Sequence, residues 1–328
     1  MPSSALSSSP RAWLLRLSSS PTWSFLHPAL LVDWLVVIAL DRLTHWIDHQ
    51  PVYQRDVAHY LPPLQAVPDP SIGWPHSPTE RVPATTNGPL DQLTFYLPLA
   101  VIALVALALR RSLHDLHHAV LGLWASRELM RVIVEGVKNR VGRLRPDFLS
   151  RCQWDPLLQA CTGDAWLIKD GRRSFPSGHS STAWQGLFFL SLYIAGKNGA
   201  FSFFRPPSPL LPRRVPSSPL LRTLHTLLSS HLLRLSLALA PCALASWIQI
   251  TRLEDHYHHV EDVLTGGLIG ALCALAGYCT YYPVPWARDR AEGERGSPRR
   301  VYREQEGEGQ VRLLEEDEEV VDGAGAIV

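Results

Sequence analysis

The chain of 328 residues carries 31 Lys and Arg against 30 Asp and Glu, a formal net charge of +1, and 46% of its residues are hydrophobic. That balance argues against nucleic-acid binding, which calls for a basic excess to neutralise phosphates. Five cysteines with no CxxC pair and no metal-ligand spacing indicate neither a zinc module nor a dense disulfide scaffold.

The mean hydropathy near zero is an average of greasy blocks and a polar tail, and the blocks set the class. Residues 1–25 are Ser-rich, hold Arg11 and Arg16, and run into an apolar stretch without a small-residue cleavage pattern. They read as a cytosolic leader before a first anchor, not as a removed signal. Crossing the hydrocarbon layer takes roughly 20 mostly apolar residues. Six segments are drawn on that basis, near 26–47, 93–110, 117–137, 180–196, 229–250 and 263–283. The second and sixth are uncharged over nearly their whole lengths. Asp33 lies in the first, and Arg127, Glu128, Arg131 and Glu135 lie in the third. Such groups are tolerable only facing the bundle interior or paired, and Glu128 and Arg131, three apart, share one helix face. An amphipathic helix outside the bilayer stays open for the third segment.

The connections carry further signals. Residues 48–90 are Pro-rich and aperiodic, an irregular loop. Residues 197–226 hold Lys197, Arg205, Arg213, Arg214 and Arg222 without an acid, which assigns them to the cytoplasmic side together with the Arg110–Arg111 turn. Both termini are then cytosolic, and 48–90, 138–179 and 251–262 meet on the far side. Cys152 and Cys161 share one far-side loop, where a bridge is open if the compartment is oxidising. After about Pro285 the composition turns polar and acidic (LLEEDEEVVDG), so 284–328 reads as a disordered tail serving solubility or partner contact. The domain plan is thus a leader at 1–25, one helical bundle over 26–283 and the tail.

Three far-side clusters carry chemistry. Lys138 and Arg145 are seven apart, and if the third helix runs on to Pro146 they lie two turns apart on one face. A point charge and a planar fork suit the oxygens of a phosphoryl group, although a basic stripe on lipid head groups explains the pair equally well. Pro176-Ser177-Gly178-His179 stands at the entrance of the fourth segment, where the N–H groups of a first turn make an anion site. His179 there either caps the helix or acts as an acid near neutral pH. In the third cluster His258 and Asp262 are four apart, so that the carboxylate can orient the imidazole, and Arg252 adds a cation. Asp255, His256 and His259 raise a metal-site reading, which leaves the converging cations unexplained.

The pattern Lys138, six residues, Arg145-Pro146; then Pro176-Ser177-Gly178-His179; then Thr251-Arg252, five residues, His258, three residues, Asp262 resembles the three-part signature of the type 2 phosphatidic acid phosphatase family. That family falls within the superfamily that includes vanadium haloperoxidases. Thr251 stands where the family usually has Ser, and the flanking words RPDFLSRC and DGRRSFPSGHSS are most similar to fungal diacylglycerol pyrophosphate/phosphatidate phosphatases. The resemblance spans about 26–283 and implies an all-α bundle of six transmembrane helices. It implies Mg-independent hydrolysis of phosphatidate, diacylglycerol pyrophosphate or lysophosphatidate, with no metal or other cofactor. His258 would be the nucleophile, Asp262 its orienting acid and His179 the general acid and base. Lys138, Arg145, Ser177, Gly178 and Arg252 would hold the phosphate. Sphingoid base phosphates and polyprenyl pyrophosphates remain alternative substrates, and a non-catalytic lipid-binding protein is the remaining alternative. The implied partners are lipid phosphates within the bilayer, with no nucleic acid; homo-oligomerisation and the organelle stay open, as does a luminal or an extracellular face for the site.

Overall fold

The computed structural model describes residues 28–55, 57, 87–201, 227, 230–286 and 296–299. The leader, most of the 48–90 loop, most of the basic 197–226 loop and most of the tail lie outside the described residues.

Six long helices stand among the described residues: α1 (Ala29–Asp48), α2 (Pro89–Leu109), α3 (Leu113–Val141), then, after two short helices, α6 (Gly178–Asn198), α7 (His231–Glu254) and α8 (Val260–Tyr281). Each coincides with one predicted segment. α2, α7 and α8 are long and apolar enough to cross a membrane. α2 winds more loosely over Gln92–Tyr96 and Leu104–Leu109, where it is π-helical. Starts are set by hydroxyl caps: Ser112, Ser177 and Ser230 accept hydrogen bonds from Asp115, Ser180 and Leu233 amides, filling donors that a first turn leaves open.

The outward surface is apolar. Leu31, Val32, Leu35 and Val36 of α1 and Leu264, Leu268 and Leu272 of α8 are all more than half exposed. A contiguous face of this kind matches lipid, not water, as solvent. Helices in lipid gain little from burying Leu against Leu, so their contact depends on close approach of small residues. α8 supplies Gly266, Gly270, Ala274 and Gly277 toward α6 and α3. A Cβ on Gly270 would strike the Ser181 carbonyl, and one on Gly277 would lie 2.7 Å from the Gly122 carbonyl. α6 is the central helix, packed on α8 and α7 and touching α2 and α3.

The charges drawn inside the third segment, Arg127, Glu128, Arg131 and Glu135, are paired. Arg131 bonds Glu128 at 2.8 Å, Arg127 bonds Asp91 at 2.6 Å, and Asp33 of α1 accepts from Tyr281 at 2.9 Å. One end of the bundle is closed by Asp115, which accepts from Lys197 (2.5 Å), Tyr193 (2.9 Å) and Tyr282 (2.8 Å). Lys197 also donates to the Gly296 carbonyl, and the Arg299 amide donates to the Tyr281 carbonyl at 2.8 Å. Residues 296–299 therefore pack against the bundle.

The other end gathers the C-termini of α1, α3 and α7 and the N-termini of α2, α6 and α8. Between α3 and α6 the chain forms α4 (Phe148–Arg151), a two-residue hairpin of β1 (Trp154–Asp155) and β2 (Ala160–Cys161), and α5 (Ala165–Gly171). A Cys152–Cys161 disulfide pins the hairpin to α4, so the bridge left open by the sequence is formed.

Replacing Gly270 by Val should lower the thermal midpoint in detergent, because the overpacking costs about 1–3 kcal/mol. Gly136→Ala, where an added Cβ meets nothing within 4 Å, is the control that leaves the midpoint unchanged or raised.

Candidate active site

The first cluster departs from its expected geometry. α3 stops at Val141 because Gly142 takes a left-handed conformation (φ 58°) against the Tyr53 carbonyl, leaving no room for a side chain. Arg145 therefore lies on a non-helical strand of chain and not two helical turns beyond Lys138. It is positioned by backbone pairing: its amide donates to the Gly171 carbonyl at 2.9 Å, and the Ser174 amide donates to the Arg143 carbonyl at 3.0 Å.

Lys138 stays on the helix, held by Glu135 at 2.8 Å. Its ammonium stands over the first turn of α6, 2.9 Å from where a Gly178 Cβ would be. Glycine is thus what lets a cation and an open helix N-terminus share one small space, an arrangement that suits an anion. Ser177 caps that turn, and its own amide donates to the Asp262 carbonyl at 2.9 Å, which ties the start of α6 to the start of α8.

Arg252, in the last turn of α7, is fully buried. It donates to Thr251 at 3.1 Å and to Asp255 at 3.0 Å, and its Nη1 lies 3.4 Å from His179 Nε2. The hydroxyl of Thr251 thus accepts from the Arg252 guanidinium and donates to the Ile248 carbonyl at 2.7 Å. Tyr257, which sequence reasoning passed over, is the ring on which the cations converge: the guanidinium carbons of Arg145, Arg151 and Arg252 stand 5.9, 5.1 and 5.5 Å from its centroid. Cations at these distances are attracted to the ring face. Asp170 of α5 balances two of them, bonding Arg145 at 3.0 Å and Arg151 at 2.7 Å. Burial pushes the Asp170 carboxyl up, but Arg145 and Arg151 outweigh that and hold it below the usual carboxylate range. Asp170 engages only Nε and Nη2 of Arg145, and no described residue accepts from Nη1.

The third cluster also departs from its expected form. His258 precedes α8, His259 caps that helix, and Asp262 closes a reciprocal capping pair with His259. The Asp262 carboxylate accepts from Arg143 Nη1 (2.8 Å), the Ser174 hydroxyl (2.5 Å), the His259 amide (3.0 Å) and His259 Nδ1 (3.2 Å). His258 Nδ1 is 3.7 Å from the nearer Asp262 oxygen, ion-pair range but beyond a hydrogen bond, and 3.5 Å from Ser174 Oγ. The direct hydrogen bond expected from an i, i+4 pair on one helix is absent because helix entry turns the carboxylate toward its own cap.

His179 and Arg145 are close enough to His258 to act on its charge. Burial, first, and then these two groups lower its pKa to about 3 against the pull of Asp262, so its imidazole is neutral near pH 7. The eight predicted site residues thus lie at one end of the bundle. Among the described residues, no three His, Cys, Asp or Glu side chains are placed to share a metal ion. Arg143, Ser174, Asp170 and Tyr257 were not singled out from sequence. The only available sign was their place inside or beside the signature words.

The lowered His258 pKa has a stability consequence. The unfolded chain protonates this ring near pH 6.5 and the folded chain only near 3, so its contribution is present above pH 6.5 and is lost as pH falls. Between pH 6.5 and 5 the loss reaches roughly 2 kcal/mol. The thermal midpoint of the wild type should fall over that interval by more than that of His258→Gln, measured by melts in detergent.

The description PAP2 superfamily fits residues 119–286, just over half of the chain. Lipid phosphate phosphatase 2 of Arabidopsis thaliana is 34% identical over 201 residues, covering 59% of this chain and 60% of the plant protein. Probable diacylglycerol pyrophosphate phosphatase 1 of Schizosaccharomyces pombe is 33% identical over 175 residues, covering 50% and 54%. Diacylglycerol pyrophosphate phosphatase 1 of Saccharomyces cerevisiae is 30% identical over 266 residues, covering 77% and 80%. The chain spans between 52% and 60% of the length of three plant relatives it matches. No solved structure gives a significant match.

Proposed function

The chain belongs to the PAP2 superfamily, and from that premise we propose that it hydrolyses lipid phosphates, phosphatidate and diacylglycerol pyrophosphate foremost, through a phosphohistidine on His258 and without a divalent metal. The observation that carries this reading is the meeting of three separate stretches of chain: Arg145 and Arg252 both face the ring of Tyr257, the residue before His258, while His179 Nε2 lies 3.4 Å from Arg252. The relatives named as lipid phosphate and diacylglycerol pyrophosphate phosphatases support the substrate class.

Phosphoryl transfer needs positioning and charge stabilisation more than covalent help. Lys138, Arg145 and Arg252, with Ser177 and the Gly178 amide, hold the non-bridging oxygens. The neutral His258 ring attacks phosphorus in line, and the P–O bond to the lipid breaks with its electron pair going to the lipid oxygen. His179 delivers the proton to that oxygen. The neutral His179 then takes a proton from water, the resulting oxygen attacks phosphorus, the P–N bond returns its pair to His258, and phosphate leaves. Asp262 stabilises the positive ring that exists between the two steps. A head group enters this pocket while its acyl chains stay in lipid, so no chain has to be exposed to water.

The six helices are proposed as six crossings, with both termini cytosolic and the site on the luminal or extracellular side. The Cys152–Cys161 bridge supports that sidedness, since disulfides persist in oxidising compartments. Turnover of phosphatidate and diacylglycerol pyrophosphate in detergent should continue in excess chelator, and His258→Ala and His179→Ala should each lower phosphate release at least ~100-fold. Complete loss under chelation contradicts the metal-free route, and a panel with sphingoid base phosphates and polyprenyl pyrophosphates ranks the substrates.

A further inference from the structure

We propose that Asp262 acts on His258 through the hydroxyl of Ser174, and that Arg143 is the positioning residue that clamps Asp262 for this task. The inference rests on His258 being the nucleophile, as proposed above. A histidine attacking phosphorus through Nε2 needs its proton on Nδ1, and something must hold it there. Asp262 does not do so directly, since the 3.7 Å separation exceeds a hydrogen bond. Ser174 Oγ lies beside both, 2.5 Å from Asp262 Oδ2 and 3.5 Å from His258 Nδ1, and is the nearer of the two oxygens to the ring nitrogen. Its hydroxyl donates to the carboxylate, which leaves its lone pairs to accept from Nδ1–H. Ser174 is fully buried, so water does not compete for either bond.

The second half of the device is Arg143. Its Nη1 bonds Asp262 Oδ1 at 2.8 Å, and its Nη2 bonds Glu261 at 3.2 Å. The carboxylate therefore has one oxygen fixed by a guanidinium from the stretch after α3 and the other shared among Ser174 and the His259 cap. Arg143 and Ser174 are also joined by backbone, the Ser174 amide donating to the Arg143 carbonyl at 3.0 Å. One short piece of chain thus delivers both the clamp and the bridge. No proton leaves the pair in this arrangement: Ser174 keeps its hydrogen, and the effect is to fix which ring nitrogen carries one.

The test has a kinetic and a spectroscopic arm. Ser174→Ala and Arg143→Gln should each lower kcat at least ~10-fold while KM stays within about twofold, with Ser174→Thr and Arg143→Lys recovering most of the loss. Ser174→Ala and Asp262→Asn together should lose less than the product of their separate losses, because both interrupt one path. Independently of turnover, 15N-histidine spectra of the full chain in detergent, assigned by the signal missing in His258→Gln, should show His258 protonated at Nδ1 in the wild type and a mixture of tautomers in Ser174→Ala. Multiplying losses, or a His258 tautomer indifferent to Ser174, would overturn the inference. A wild type that releases no phosphate from any lipid phosphate would overturn the enzymatic reading instead, with the spectra still deciding the bridge.

Discussion

A guanidinium with no exposed surface at the mouth of a membrane helix governs the rest of this structure. Arg252 is wholly buried, and an unmatched charge in such a place is strongly unfavourable. Its partners come from several directions: Thr251 and Asp255 beside it on the chain, the Tyr257 ring across the turn, and His179 from the start of α6. Tyr257 also draws in Arg145 and Arg151, and Asp170 then balances both of those. The contacts that satisfy one buried cation thus bring the stretch after α3, the start of α6 and the loop holding His258 together at one end of the bundle.

That assembly depends on how closely the helices approach. Gly270 against the Ser181 backbone and Gly277 against Gly122 bring α8 onto α6 and α3, and the Ser177 amide to Asp262 carbonyl bond carries the register of α8 into the first turn of α6. A shift of either helix by a fraction of a turn would separate His179 from the His258 loop. The Asp115 knot with Lys197, Tyr193 and Tyr282 fixes the opposite end of the same helices. The bundle is therefore held by polar contacts at both ends and by small-residue contact between them, as expected where lipid removes the hydrophobic drive between helices.

Much of the fold was legible in sequence, because blocks of apolar residues and hydroxyl caps are local signals. The segment drawn at 180–196 is α6, Gly178–Asn198, and Ser177 marks its start as the Pro-Ser-Gly words suggested. The pairing of Glu128 with Arg131 followed from spacing alone. What was not legible is what depends on contacts distant in the chain. The end of α3 at Val141 turns on a left-handed Gly142 pressed against Tyr53. The separation of His258 from Asp262 turns on His259 capturing the carboxylate as a helix cap. Arg143 looked like one more basic residue in a basic word until Asp262, 119 positions away, was seen to be its partner. Tyr257 read as an ordinary aromatic, since nothing in the sequence says that Arg145 and Arg151 from the stretch after α3 will meet Arg252 around its ring.

In the mechanism proposed above, His258 bears the phosphoryl group between two chemical steps. Rapid denaturing quench of the purified protein after mixing with phosphatidate labelled in its phosphate tests it directly. A phosphohistidine at His258 gives a protein-bound label that survives alkali, is lost in acid, maps to the peptide containing His258 and is absent from His258→Ala. Label retained in that variant, or steady turnover with no protein-bound phosphate at any quench time, would contradict it.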